Sequence, residues 1–262
     1  ICQHFDQYAN VRPSRLLPGI QSPLKNIGPA ELDWVIVREN TEGEYSGAGG
    51  RVHPKLPQEV GIDVSVFTRD GIARVMRYAF ELALTRPKKQ LTLVTKSNAQ
   101  RHGMVLWDEV FEKLKHDYPG ITTDRMLVDA ITTRMVLQPQ SLDTIVATNL
   151  HADILSDLAA ALSGSLGIGP TANINPERTF PSMFEPIHGS AFDLVGKDLA
   201  NPLGAFWSCV MMLEHLQEKK GASLLMSAIE EVCQEGRHLP IDLGGNSCTG
   251  EVTTAVCAAL KK

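Results

Sequence analysis

The chain has 262 residues and a formal net charge of −5, with 43% hydrophobic and 21% charged residues. These values are typical of a soluble globular protein with one large domain or two modest ones. They give no reason to expect a nucleic-acid partner, and no apolar run is long enough to cross a bilayer. Five cysteines without metal-ligand spacing indicate reduced thiols, so we expect a cytoplasmic protein.

Apolar runs alternate with segments of helical period along most of the chain. Three strands are predicted, at 33–38, 91–95 and 144–148. Asp70 is predicted to cap the first of six helices, which cover 71–84, 104–115, the segment that follows 148, 205–216, 222–234 and 252–260. This alternation predicts an α/β fold with a layered sheet.

Two segments interrupt the alternation. Residues 43–61 carry glycines, prolines and few periodic apolar residues, which indicates an extended arm or hairpin near 43–66. Residues 164–202 are rich in Gly, Pro, Asn and Ser and are too long for a simple connector. We expect this second segment to be a loop that binds a ligand.

Two aspartates follow the predicted strand at 144–148. Asp153 and Asp157 are four residues apart, so a helix there places both carboxylates on one face. A hard divalent cation such as Mg²⁺ relieves the repulsion between two such carboxylates. From the spacing alone, an ordinary solvated helix face is the alternative.

Three arginines and a tyrosine lie in segments of unusual local chemistry. Arg12 and Arg15 are three residues apart, and Arg38 ends a predicted strand. The planar guanidinium suits carboxylates, and an acid substrate needs at least two such groups. Surface ion pairs with nearby glutamates are the alternative. Tyr45 lies in a turn flanked by glycines, where its phenol either acts as an acid or only packs.

Lys96 and Asp129 also end or follow apolar runs. Lys96 comes at the end of the strand at 91–95, and strand ends are where α/β proteins carry ligand groups. Asp129 follows a short apolar run and can instead be a turn or cap residue. A solvated surface lysine is likewise the alternative for Lys96.

The segment 184–193 combines several hydrogen-bond donors. His188, Gly189 and Ser190 are consecutive, and such a stretch can approach a diphosphate closely. Asp193, just beyond them, can accept hydrogen bonds from ribose hydroxyls. The chain has no GxGxxG fingerprint, and a hydrogen-bonded turn is the alternative for His188.

Seven segments occur in an order that resembles the β-decarboxylating dehydrogenases, the family of isocitrate, 3-isopropylmalate, homoisocitrate and tartrate/D-malate dehydrogenases. In chain order they are RP at 12–13, VRENTEGEY at 37–45, TKSN at 95–98, VDA at 128–130, DILSD at 153–157, EPIHGSA at 185–191 and ANP at 200–202. The segments at 5–8, 66–69 and 175–182 are most similar to the tartrate/D-malate branch. ENTEGEY is also similar to isocitrate dehydrogenases.

The resemblance implies a two-domain fold of the isocitrate/isopropylmalate dehydrogenase type. Residues 1–160 are expected to form the smaller dimerisation and substrate-metal domain, and 161–262 the C-terminal part of the large cofactor-binding domain. The family carries about a hundred residues ahead of this point, which is the size of a domain. Because the chain begins at Ile1 without methionine, we expect the N-terminal part of the large domain, and any targeting peptide, to be absent.

The resemblance also implies a role for each site residue by its position. Arg12 and Arg38 would bind substrate carboxylates. Tyr45 would protonate the enolate carbon, and Lys96 would accept the proton of the C2 hydroxyl. Because the lysine and the first aspartate of the family act across a dimer interface, a homodimer with shared active sites is expected. Mg²⁺ or Mn²⁺ would be bound by Asp129, Asp153 and Asp157.

The implied reaction is the oxidative decarboxylation of a small 2-hydroxy diacid. D-malate or tartrate is the expected substrate, with 3-isopropylmalate or isocitrate as the alternative. NAD is the expected cofactor, because Asp193 would repel the 2′-phosphate of NADP. Asn201 resembles the asparagine that contacts the adenine, and three residues would lie along the cofactor, namely His188, Gly189 and Ser190.

Two positions depart from the family. Cys2 stands where the family has another substrate-binding arginine, and Phe192 replaces a common proline. A site that lacks one of its carboxylate-binding arginines is expected to bind the diacid more weakly or to accept a different acid. A non-catalytic ligand-binding or regulatory relative, or a fragment, is therefore the alternative to an active enzyme. Intact Tyr45 and Lys96 favour the enzyme, as do the three aspartates.

Overall fold

The computed structural model describes residues 1–262 and contains nine strands and seven α-helices. In chain order they are β1 (Ala9–Arg15), β2 (Asp33–Glu39), β3 (Gly43–Val52), β4 (Val60–Val66), α1 (Arg69–Thr85), β5 (Gln90–Thr95), α2 (Gly103–Leu114), β6 (Thr122–Leu127), α3 (Val128–Leu137), β7 (Thr144–Ala147), α4 (Asn149–Leu162), β8 (Pro170–Ile174), β9 (Met183–Pro186), α5 (Leu203–His215), α6 (Lys219–Glu235) and α7 (Thr249–Ala259). The α/β prediction is confirmed. No helix is both long and apolar enough to span a membrane.

Seven strands form one mixed sheet in the order β6-β5-β7-β2-β1-β8-β9. Strands β6, β5, β7 and β2 are parallel, whereas β1, β8 and β9 pair antiparallel with their neighbours. The carboxyl ends of the four parallel strands therefore meet at one edge of the sheet. Ligand groups in α/β proteins usually lie at this edge.

Both faces of the sheet are covered by helices, and the side chains of β2 show this. In β2, Trp34 and Ile36 point into a core shared with helices α3 to α7, whereas Val37 points into a second core under α1 and α2. Adjacent residues of a strand face opposite sides, so a strand covered on both sides is apolar throughout. Each such buried side chain contributes roughly 2 kcal/mol to folding.

Two local predictions are wrong. Helix α1 is capped by Thr68, whose hydroxyl accepts a hydrogen bond from the Gly71 amide at 3.0 Å, while Asp70 lies in the first turn. The segment 164–202 is not a single loop, because β8 and β9 form within it. Both strands are short and contain Asn or Pro, residues that are unfavourable in strands and mask the pattern.

Residues 43–66, the segment expected to form an arm, form the separate β3–β4 hairpin. All of β4 is exposed, and its apolar side chains alternate with small or polar residues. These apolar side chains lie on one face of the strand and are each 40–49% exposed: Val60, Ile62, Val64 and Val66. The hairpin thus leaves an apolar stripe in contact with solvent.

Residues beyond 160 extend the same sheet and the same core as the residues before it. Strand β8 pairs with β1, and β9 pairs with β8. Helices α5, α6 and α7 bury apolar side chains in the core that also contains α4. The division into two domains at residue 160 stays a prediction.

Candidate functional site

Two neighbouring strands and one helix position the central residues of the site. In the β1–β2 ladder Asn10 lies directly opposite Arg38, and Arg12 follows two residues after Asn10. Because strand side chains alternate, Asn10, Arg12 and Arg38 share one face of the sheet. Helix α4 begins just after β7 on that face, with Thr148 as its N-cap, and carries Asp153 one turn further along.

Three side chains converge on the Asp153 carboxylate. Arg12 Nη1 lies 3.1 Å from Oδ1, and Arg38 Nη1 forms an ion pair with the same oxygen. The Tyr45 hydroxyl donates to Oδ2 at 3.1 Å. Arg12 and Arg38 are both only 8% exposed, whereas Tyr45 is half exposed at the base of the hairpin. The site therefore has two buried cations beside a solvent-accessible phenol.

Each arginine is anchored through its Nε by an asparagine oxygen. Arg12 Nε donates to Asn10 Oδ1 at 2.8 Å, and Arg38 Nε donates to Asn149 Oδ1 at 2.9 Å. Arg12 Nη1 also donates to Ser156 Oγ at 2.6 Å. The Nη2 groups of both arginines make no hydrogen bond within the chain. Two guanidinium groups thus have fixed planes and free donors, which suits carboxylate recognition.

The electrostatics of the site keep the Tyr45 phenol protonated. Partial burial raises the pKa of Tyr45, and the charge and hydrogen bond of Asp153 raise it further. Arg38, whose Cζ lies 5.3 Å from the centre of the Tyr45 ring, opposes part of this shift. A phenol that stays protonated at neutral pH can act as an acid.

Asp157 lies one turn beyond Asp153 on α4. Burial raises the pKa of Asp157, and the neighbouring charge of Asp153 raises it further, while Arg12 and Arg38 lower it. A pair of carboxylate oxygen donors, one of them destabilised as an anion, fits a hard divalent cation. Within one chain, no group of three or more acidic, His or Cys side chains is arranged to hold a metal ion.

Lys96 and Asp129 form an ion pair of their own at the carboxyl edge of the sheet. The hydrogen bond from Lys96 lowers the pKa of Asp129, which lies in the first turn of α3. No hydrogen bond or ion pair joins this pair to the Asp153 cluster. One chain therefore brings three predicted residues, Arg12, Arg38 and Tyr45, together around Asp153. Asp157 lies beside them, whereas Lys96 and Asp129 lie apart.

The predicted cofactor residues lie after β9. His188 Nδ1 is 3.0 Å from the Gly189 carbonyl oxygen, and Gly189, Ser190 and Asp193 are exposed. Asn201 lies just before α5, where its Oδ1 accepts a hydrogen bond from the amide of Leu203, the first residue of the helix, at 2.9 Å. These residues therefore form an accessible segment next to the end of the sheet.

Several residues of the site were not predicted from the sequence. Asn201 Nδ2 donates to Asp242 Oδ2 at 2.9 Å, and Ser165 donates to the same carboxylate. Asn10 precedes Arg12 by two residues, so the period of a strand could have indicated that both face the same side.

Arg15 does not join the Asp153 cluster. It forms an ion pair with Glu230 instead, and an ion pair with a glutamate was the alternative to substrate binding for the arginines.

A sequence model of the isocitrate/isopropylmalate dehydrogenase family matches residues 1–258, and the chain belongs to that family. The predicted family and fold are thereby confirmed, and the lineage is that of enzymes that oxidise and decarboxylate a hydroxy acid.

Individual relatives agree with this assignment. The chain is 66% identical over 260 residues to a probable tartrate dehydrogenase/decarboxylase of Agrobacterium vitis, covering 99% of this chain and 72% of the relative. It is 49% identical to the decarboxylating D-malate dehydrogenase of Escherichia coli, covering 97% and 72%. The isocitrate dehydrogenase structure from Methylococcus capsulatus superposes with a TM-score of 0.92 at 38% identity, covering 99% of this chain and 75% of that one.

Proposed function

We propose that this protein oxidises and decarboxylates D-malate or tartrate, with NAD as hydride acceptor and Mg²⁺ or Mn²⁺ as the metal. Relatives that are 44–66% identical are named tartrate or D-malate dehydrogenases, which supports this substrate class over 3-isopropylmalate and isocitrate. The observation that carries the proposal is the convergence of two buried arginines and a protonated phenol on Asp153.

The two arginines bind the diacid. Their Nε atoms are held by Asn10 and Asn149, so each guanidinium offers its Nη2 group without needing to reorganise. A diacid has a carboxylate for each arginine, and charge-assisted bonds of this kind are roughly twice as strong as neutral ones. Preorganised donors lower the cost of ordering the substrate.

The phenol of Tyr45 supplies the proton that follows decarboxylation. Loss of CO₂ from a 2-oxo acid leaves an enolate, whose carbon must be protonated to give the final product. Tyr45 lies beside both arginines, keeps its proton at neutral pH, and is open to solvent from which it can be reprotonated. These are the properties that a general acid requires.

Lys96 serves the oxidation half of the reaction by accepting the C2 hydroxyl proton. In one chain Lys96 contacts Asp129 and not the Asp153 cluster. We therefore place Lys96 and Asp129 of a second copy at the site, with Asp129 joining Asp153 and Asp157 as the metal-binding residues. When bound, the divalent cation stabilises developing oxygen charge, and NAD supplies the hydride acceptor.

The homodimer that this arrangement needs has exposed apolar surface available on the hairpin and on two helices. The β3–β4 hairpin carries the apolar stripe of β4, and helices α3 and α4 expose Leu137 (71%) and Ile154 (55%). Large apolar side chains that are exposed in one subunit are often buried at subunit interfaces. We infer that the second subunit covers the hairpin and these positions of α3 and α4.

The cofactor occupies the exposed segment after β9. His188, Gly189 and Ser190 would lie along NAD, with Asp193 accepting hydrogen bonds from a ribose and Asn201 contacting the adenine. Asn201 is held in place by Asp242 and by the start of α5, which supports its use as a fixed contact. An exposed Asp193 carboxylate repels a 2′-phosphate, so NAD is favoured over NADP.

The test is NADH formation in the presence of Mn²⁺ with D-malate, the tartrates, 3-isopropylmalate and isocitrate, together with sedimentation to measure the oligomeric state. We expect turnover of D-malate or tartrate by a dimer. Turnover confined to isocitrate would mean that the protein belongs to the isocitrate dehydrogenase branch of the family. A folded dimer that oxidises none of these acids would favour the non-catalytic alternative. The observation that favours this alternative is Cys2, which stands where the family has a substrate-binding arginine.

A further inference from the structure

A continuous chain of hydrogen bonds runs from Arg12 across three strands of the sheet to Glu185. Arg12 Nε donates to Asn10 Oδ1 at 2.8 Å, and Asn10 Nδ2 donates to Asn173 Oδ1 at 2.6 Å. Asn173 Nδ2 then donates to Glu185 Oε1 at 3.0 Å. Asn10 and Asn173 are 1% and 2% exposed, so neither amide exchanges these bonds for water.

The sheet register places these side chains in line. Asn10 on β1 lies directly opposite Asn173 on β8, and directly opposite Arg38 on β2. Arg12 is two residues from Asn10 on β1, and Glu185 is two residues from Met183, which lies directly opposite Asn173 on β9, so both side chains share the face of this row. The row therefore joins the strand that carries Arg12 to the strand that leads into the proposed cofactor segment.

The chemistry of the two ends fixes the orientation of both amides. A guanidinium can only donate and a carboxylate can only accept. Asn10 must therefore turn its oxygen to Arg12 and its amino group to Asn173, which must turn its own amino group to Glu185. If either amide flipped, two donors or two acceptors would face each other in a buried site, at a cost of about 1–3 kcal/mol for each unsatisfied group.

We propose that Asn10 is a positioning residue that holds the Arg12 guanidinium in the plane needed for a substrate carboxylate, with Asn173 and Glu185 as its anchor. The Arg12 Nη1 bonds to Asp153 and Ser156 fix one edge of the group, and the Asn10 bond to Nε fixes its rotation. The Nη2 donors are thereby directed before substrate arrives. This inference rests on the proposed function only in that Arg12 binds a carboxylate.

The geometry is tested without any catalytic assay, by NMR of the arginine Nε–H signals of the whole chain. The Arg12 signal is the one lost in Arg12→Lys. In Asn10→Leu, a substitution of similar size, we expect the Arg12 Nε–H to exchange with solvent about tenfold faster than in wild type. An exchange rate within about twofold of wild type would overturn the proposal, whether or not the protein is an active enzyme.

The functional consequence is tested by a double-mutant cycle. Asn10→Leu is expected to raise the KM of the diacid about tenfold, with kcat within about threefold of wild type and the Kd of NADH unchanged. Arg12→Gln should raise the KM further. In the Arg12→Gln background Asn10→Leu should have no additional effect, because it acts through Arg12. Equal fold-changes in both backgrounds would mean that Asn10 has only a structural role, and the proposal fails.

Asn40 provides a matched control. Its Nδ2 donates to the same Asn173 oxygen at 3.0 Å but makes no hydrogen bond with Arg12. Asn40→Leu should therefore leave the diacid KM and the Arg12 Nε–H exchange within about twofold of wild type. If wild type oxidises no diacid while the NMR result is as expected, the proposed function fails and the positioning of Arg12 by Asn10 stands.

Discussion

The Tyr45 hydroxyl, at the base of the exposed hairpin, donates to Asp153 Oδ2 on helix α4 over 3.1 Å. The bond joins two residues that are 108 positions apart in the sequence. It leaves the other Asp153 oxygen to Arg12 and Arg38. The phenol is therefore held beside the groups that would bind the diacid, and burial together with this contact raises the pKa of Tyr45.

Removing this hydroxyl should affect the chemical step more than substrate binding. For Tyr45→Phe we expect kcat to fall about 10²- to 10³-fold, with the diacid KM within about threefold of wild type, because the carboxylates are bound by the arginines. The measurement is steady-state NADH formation with D-malate or tartrate. Tyr118→Phe is the control, since Tyr118 stacks on Phe80 at 4.6 Å, away from the site. A Tyr45→Phe enzyme with unchanged kcat would remove Tyr45 from the mechanism.

The raised pKa of Asp157 predicts how stability depends on pH. Its causes are burial first and the charge of Asp153 second. The folded state therefore binds more protons than the unfolded state, and stability falls as pH rises from the usual carboxyl range through the raised pKa. Asp157→Asn removes this cost, and we expect Tm at neutral pH without metal to rise by about 1–3 °C, a small gain because solvent screens a partly exposed group.

The pH dependence of that gain distinguishes this explanation from a general packing effect. The gain should shrink toward zero as pH falls below about 3, where the carboxyl is largely protonated in both states. Calorimetric Tm values of wild type and Asp157→Asn across this range, with a chelator present, make the measurement. A gain that is constant with pH would show that charge is not its cause.

We expect Asp157→Asn to weaken metal binding, although the same substitution should stabilise the metal-free protein. Wild type is expected to gain thermal stability on addition of Mn²⁺, because a ligand that binds only the folded state stabilises it. In Asp157→Asn the apparent Mn²⁺ affinity should fall about 100-fold, since the site loses a charged oxygen donor. Asp117→Asn, which neutralises an exposed carboxylate after α2, is the control. Equal Mn²⁺ affinities in wild type and Asp157→Asn would place the metal elsewhere.

The exposed carboxylate of Asp193 is proposed to set the choice between NAD and NADP. We expect wild type to prefer NAD over NADP by at least about 100-fold in kcat/KM, and Asp193→Ser to reduce that preference to below about tenfold. Both cofactors are measured on the same preparation, so the ratio is independent of the active fraction. A wild-type preference for NADP would contradict the role of Asp193 at the ribose.

The sequence is a good guide to the buried elements and a poor guide to the polar ones. The apolar runs in β2, β5 and β7 predict strands because these are covered on both faces. Strands β8 and β9 were not predicted, since Asn173 and the prolines that begin β8 and end β9 interrupt the apolar pattern.

The same limit applies to the site. The motifs predict Arg12, Arg38, Tyr45 and Asp153 as site residues, but they do not indicate that the first three side chains meet on the carboxylate of Asp153. That convergence depends on the register of β1 against β2 and on where α4 begins, which are set by packing of residues far apart in the chain. The role of Asn10 follows from the register in the same way, and so does the separation of Lys96 from the Asp153 cluster.

That separation leads to a prediction about the dimer. If Tyr45 of one subunit acts with Lys96 of the other, a mixed dimer of Tyr45→Phe and Lys96→Met subunits has both defects in one site and none in the other. Equal amounts of the two inactive variants, unfolded and refolded together, should then recover about a quarter of wild-type activity, because random pairing makes half of the dimers mixed. Refolding each variant alone is the control and should recover none. If each site were built from a single chain, every site in the mixture would contain one defect and the mixture would stay inactive.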